Sequence, residues 1–160
     1  MSTPIRVPTG ANFTESVRAA GFVLNEGGTA ILASDMGHSH QLTYSQNAAC
    51  LGAHNATEVL HVVVGTAGTL KSVSAEMSTA STDSSTISVD LKLNGTSMLS
   101  AAKISLTSTE IAYELVAGVL STTAIASPDV LTVVVAVTEG SGTLGTGLFC
   151  VANLDEDYAG

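Results

Sequence analysis

A chain of 160 residues has room for one domain with a true core and a flanking segment, but not for two independent domains. Its formal net charge is −9 with only five Lys and Arg, so a nucleic-acid backbone or an anionic membrane surface would repel most of it. Apolar residues make up 45%, aromatics 4% and charged residues only 12%, about half the ~25% usual in globular proteins, which leaves Ala, Val, Ser, Thr and Gly to build both core and surface.

Small and β-branched residues suit pleated sheets packed face to face, and a Ser/Thr surface can be buried against other protein subunits. The first residues, MSTPIRVPTGANFTES, lack the basic and continuous apolar regions of a signal peptide, and no run approaches ~18 apolar residues. Synthesis in the cytoplasm and no membrane association are the expectations.

Residues 1–57 carry few strand signals. The stretch 13–24 could form one or two helical turns, although Gly21 interrupts it; Gly27-Gly28 breaks the chain, 29–32 could be a short strand, and 41–45 alternates weakly. Such short elements cannot bury themselves, so the segment is expected to be an extended N-terminal arm docked on a neighbouring subunit or on its own domain. Within it, His38 and His40 are weak candidate metal ligands, because residues two apart on a strand share a face. No third or fourth ligand can be assigned, so neither a metal nor any other cofactor is expected.

From residue 58 strand signals become dense, near 59–64, 70–78, 86–93, 98–106, 111–116, 119–125, 130–138 and 146–154. The clearest is 86–99, where Ile87, Val89, Leu91 and Leu93 alternate with Ser88, Asp90, Lys92 and Asn94. Asn94-Gly95 tolerates the positive φ of a type I′ turn, so this is a hairpin with one dry face and an exposed row of polar residues. His61 sits in an apolar strand and reads as a core or interface residue. The run 130–137 is more uniformly apolar than the other strands; either its second face meets a neighbouring subunit, or Thr132, Val134 and Ala136 form a mildly apolar solvent face. Eight strands over ~100 residues give an all-β fold, an eight-stranded jelly-roll-like β-sandwich over 58–156, ending in an acidic tail at 157–160.

Catalytic patterns are lacking. No Ser lies in a Gly-x-Ser-x-Gly elbow, and Gly140-Ser141-Gly142-Thr143-Leu144-Gly145 has the composition of a phosphate loop but no lysine and no following helix, which makes it a hairpin loop. Asp155, Glu156 and Asp157 read as a solvated acidic end. Cys50 and Cys150 read as small buried thiols, and spacing alone does not decide whether they pair.

The runs Gly68-Thr69-Leu70-Lys71-Ser72-Val73-Ser74-Ala75, 86–95, Ser127-Pro128-Asp129-Val130-Leu131-Thr132-Val133 and Gly147-Leu148-Phe149-Cys150-Val151-Ala152 resemble the jelly-roll modules of tailed-bacteriophage structural proteins, head decoration (capsid cement) proteins among them. That resemblance implies a non-enzymatic homotrimer on the outer capsid surface of the virion, binding the major capsid protein and no nucleic acid. In that setting the arm and its neighbourhood would supply the capsid or subunit contacts, with Arg6, Phe13, Arg18, Phe22, Ile31, Leu32, Leu42 and Tyr44 as candidates. A receptor- or carbohydrate-binding module of a phage fibre or tail is the alternative.

Overall fold

The computed structural model describes residues 22–23, 30–31, 38–47, 52–65, 67–100 and 102–157, and the chain divides into two compact units, 1–33 and 34–160. In the first unit β1 (Phe22–Val23) pairs antiparallel with β2 (Ala30–Ile31). Phe22 and Val23 are therefore strand, where the sequence suggested the end of a helical turn.

Among the described residues the second unit holds ten strands: β3 (His38–Ser45), β4 (Ala56–Val62), β5 (Gly68–Thr79), β6 (Thr86–Leu93), β7 (Thr96–Ser97), β8 (Ile104–Leu106), β9 (Val116–Ala117), β10 (Ala124–Ile125), β11 (Val130–Thr138) and β12 (Thr146–Glu156). They form two antiparallel five-stranded sheets in a sandwich-like arrangement. One runs β10-β5-β12-β3 with β9 also on β5; the other runs β4-β11-β6-β7 with β8 also on β6. No described helix is long and apolar enough to cross a membrane.

The core follows from the period of two. Ile87, Val89 and Leu91 of β6, Leu131, Val133 and Val135 of β11, Leu70, Val73 and Ala75 of β5, and Leu148, Cys150, Ala152 and Leu154 of β12 are all buried in one cluster. Asn94 (φ 49°) and Gly95 (φ 85°) supply the left-handed pair of the turn after β6, as the sequence suggests.

Beyond that hairpin the sequence reading needs three corrections. The strands expected at 98–106, 111–116 and 119–125 are fragments: a Leu99–Leu120 bridge, β8, β9 and β10. Only short stretches of 111–125 reach β5, and residues between them turn away, so local alternation overstated pairing there. The sandwich also begins earlier than residue 58, because β3 pairs with β12 over eight residues, from His38 opposite Glu156 to Ser45 opposite Phe149. Among the described residues the second unit accordingly has ten strands, where the sequence suggested eight. Third, Asp155 and Glu156 belong to β12 and not to a free acidic end.

The glycine-rich stretch 139–145 is a loop packed against 81–85. Thr82 N–H donates to Thr143 O (2.9 Å), Thr143 N–H to Thr82 Oγ1 (2.8 Å), Ser141 N–H to Ser84 Oγ (3.0 Å), Gly140 N–H to Ser85 Oγ (3.0 Å) and Gly145 N–H to Ser81 Oγ (3.0 Å). Ser81 and Ser85 are buried, and their hydroxyls here replace the water those loop amides would otherwise bind.

Cys150 is a free, buried thiol on β12, while Cys50 lies outside the described residues. Burial pushes the Cys150 thiol from 9.0 up to about 11. A raised folded-state value means that the folded chain holds this proton more tightly than the unfolded chain. The resulting stabilisation is complete below pH 9 and is lost as pH rises from 9 to 11. The loss should reach about 2–3 kcal/mol, since each tenfold difference in proton affinity between the folded and unfolded chain is worth ~1.4 kcal/mol. Urea titrations of wild type and Cys150→Ala at pH 8, 9.5 and 11 should show stability falling more steeply in wild type; parallel declines would refute the assignment.

Candidate interaction surfaces

The residues singled out from the sequence fall in three places. Arg6, Phe13, Arg18 and Leu32 lie outside the described residues, and Phe22 and Ile31 are placed only as opposed backbone positions of β1 and β2. Leu42 and Tyr44 are half-buried side chains on β3 that pack on the core, opposite Ala152 and Cys150. Tyr44 Oη also accepts a hydrogen bond from Gln46 Nε2 (3.0 Å), so the inward parts of both side chains serve the sandwich's own interior.

His38 and His40 lie exposed on β3 with ring centroids 6.5 Å apart. His40 Nε2 lies 3.2 Å from Glu156 Oε2, and His61 Nε2, from β4 in the other sheet, lies 3.7 Å from Glu156 Oε1. That His61 nitrogen is buried without a hydrogen-bond partner. His61 thus belongs to an edge cluster spanning both sheets, an arrangement no local spacing could have revealed. No group of three His, Cys, Asp or Glu that could hold a metal ion occurs among the described residues. Next to the cluster, Ser39 Oγ donates to Asp155 Oδ1 (2.5 Å) and Lys71 Nζ lies 3.3 Å from Asp155 Oδ2. The Ser39 hydroxyl above all holds the Asp155 carboxyl below its ordinary value, against desolvation, which raises it, while the Lys71 ammonium adds a further lowering.

The outer face of the β3-containing sheet carries charge toward its two ends, Glu76 opposite Phe149 and Asp155 with Lys71, and uncharged residues between them. Across it run Thr43, Val151, Ser74 and Ala117, and beside them Gln41, Asn153 and Ser72; Asn153 Nδ2 donates to Ser72 Oγ (2.8 Å). Val151 is buried there without joining the core cluster, covered by its cross-strand neighbours.

On the other sheet the polar row expected at Ser88, Asp90, Lys92 and Asn94 is not uniformly exposed. Asp90 is only 1% exposed, and its carboxylate accepts a hydrogen bond from Ser97 Oγ (2.6 Å), whose oxygen in turn accepts from Leu99 N–H (3.2 Å). The return of the chain through β7 covers Asp90, a nonlocal effect that alternation cannot report. On β11, Thr132 and Val134 are half-buried and Ala136 is exposed, so within this chain that face is a mildly apolar surface. Opposite it on β4, Val59 and Val62 are exposed.

A second exposed apolar group lies on the segment after β8. Ile111 is 69% exposed, Tyr113 73%, Leu115 51% and Val119 68%. Tyr113 adopts φ 64°, a left-handed backbone unusual for a bulky residue, while its N–H donates to Met77 O of β5 (2.9 Å). The sequence reading placed Ile111 and Tyr113 in a strand and so missed this surface; their alternation was visible, but its exposure was not.

Comparison with protein families, curated proteins and solved structures gives no match for this chain.

Proposed function

We propose that the chain is a non-enzymatic structural protein, a capsid decoration protein that stabilises the head of a tailed bacteriophage by bridging major capsid proteins as a homotrimer. The observation that carries this reading is a sandwich whose outer faces are rich in Ser, Thr and small apolar residues and poor in charge, since such faces can be buried against protein without desolvating many ions. The strand order supports a jelly roll. With β7 taken as the tail of the β6 hairpin, and β9 and β10 as two parts of one interrupted strand on β5, the sheets reduce to β3-β12-β5-β9/β10 and β4-β11-β6-β8. That is the order of two interleaved Greek keys. Contacts repeated over a closed shell add through multivalency, so each one can be weak.

The test is addition of the purified full chain to capsids of the parent particle assembled without it. Imaging should then show added density on the outer surface, and sedimentation of the free protein should give about three times the 16.1 kDa chain mass. Unaltered capsids would overturn the reading. Binding to host cells or glycans by the free chain would favour a receptor-binding module, for which the exposed Tyr113 is the available aromatic surface.

A further inference from the structure

The outer face of the sheet built on β4, β11 and β6 has a charge pattern unlike the molecule as a whole. Residues directly opposed across antiparallel strands share a face, so Val59, Thr132 and Lys92 form one row across it, Thr57, Val134 and Asp90 the next, and Val62 stands beside Val130 toward one end. Val59 is 61% exposed and Val62 45%. The carboxylates here are engaged within the chain. Asp90 is buried and bonded to Ser97, while Asp129, next to Val130, accepts from Asn94 Nδ2 at one oxygen (2.6 Å) and from Ala126 N–H at the other (2.7 Å). The cations are not engaged. Lys92 makes no ion pair among the described residues, and exposed Lys103 directly precedes β8, on the far side of β6 in the same sheet. Lys71, the remaining described cation, is held by Asp155 on the other sheet.

Association through the neighbouring strand edge is opposed by two features of β4. Glu58 lies opposite inward-facing Val133 and so puts an exposed carboxylate on the inner side of that edge, and the register shifts between Leu131 and Thr132, which leaves Leu60 as a bulge. Inward charge and bulges keep strand edges from pairing with other chains. The face, with its valines, is the surface left for contact.

Charge decides what covers it. A chain of net charge −9 repels its own copies over most of its surface. A face with unpaired lysines and engaged carboxylates is the exception, because it attracts a carboxylate-bearing surface of another copy while its valines lose water. Two such faces packed on each other would bring the lysines of both copies together in a two-fold dimer. Packed on an acidic surface of the next copy, the same face makes a head-to-tail contact, which can close into a ring.

We infer that the outer face of β4, β11 and β6, with Val59 at its centre and Lys92 beside it, is where each copy of this chain receives an acidic surface of the next. The inference rests on the preceding functional reading in taking the closed ring to be a homotrimer.

Sedimentation of the full chain over a range of concentrations and salt tests it. Wild type should assemble to three times the 16.1 kDa chain mass. Val59→Asp, a change at an exposed position, should keep the sheet signal in circular dichroism and raise the concentration of half-assembly about 30-fold, the scale of a lost interface anchor. Lys92→Gln with Lys103→Gln should raise it a few-fold and flatten its dependence on salt, and this variant decides the matter if Val59→Asp fails to fold. Assembly of folded variants equal to that of wild type overturns the inference, as does a wild-type dimer or a wild-type monomer at every concentration. Capsid binding is read separately. A wild-type trimer that Val59→Asp takes apart but that leaves capsids bare sustains the inference and overturns the decoration reading, whereas wild type that decorates capsids as a monomer overturns the inference alone.

Discussion

Leu91→Ala should lower the unfolding free energy by about 3–5 kcal/mol, a large fraction of the 5–15 kcal/mol typical of a domain. Leu91 is fully buried in the middle of β6, opposite Val133 of β11 and on the same face as Ile87 and Val89. Truncation there removes methyl contacts with the opposing sheet and leaves a cavity that two hydrogen-bonded strands cannot easily collapse. Lys92→Ala, one residue along and half-buried on the outer face, should change stability by no more than about 0.5 kcal/mol. The pair also tests strand register, because a slip of one residue would exchange the two positions. Denaturant midpoints for the two variants decide the matter, and equal effects would refute the assigned inner face.

The second large effect is expected at Gly145. A Cβ there would lie 2.5 Å from Thr79 O, 3.0 Å from Ser81 N and closer still to Met77 Sδ. Two of those atoms are backbone and cannot swing aside, so Gly145→Ala must push the loop 139–145 away from 81–85. Doing so strains or breaks the bonds from Gly145 N–H to Ser81 Oγ and from Thr82 N–H to Thr143 O. Overpacking together with those bonds comes to about 3 kcal/mol. Gly95→Ala is the control: nothing lies within 4 Å of the new Cβ, and only the left-handed backbone opposes it, roughly 1–2 kcal/mol. Thermal melts in which Gly95→Ala is the more damaging of the two would contradict the close approach of these loops.

How far the fold could be read from the sequence depended on where each element finds its partners. β6 and β11 were legible to the residue, because each carries a dense apolar alternation or run and the turn after β6 is encoded locally by Asn94-Gly95. β3 was not. HSHQLTYS offers only Leu42 and Tyr44 as inward signals, and its strand identity comes from β12, about a hundred residues away in sequence. The opposite error occurred at 111–119, where alternation was clear but the side chains face water. Asp90 shows the same limit for burial, since its cover arrives with Ser97 after the turn. The edge cluster of His40, His61 and Glu156 assembles residues from three strands in two sheets, so the sequence names each of them separately and does not link them.

The last described strand occupies the middle of its sheet: β12 lies between β5 and β3 and is hydrogen-bonded to both. During vectorial synthesis β3 and β5 are therefore held apart, each with a bare edge and half of the interior open, until 146–156 have left the ribosome. The sandwich cannot close progressively from its first strand onward. Its nucleus must join sequence-distant segments in one late step, and until then the nascent body depends on its high negative charge and few aromatic side chains to stay free of other chains.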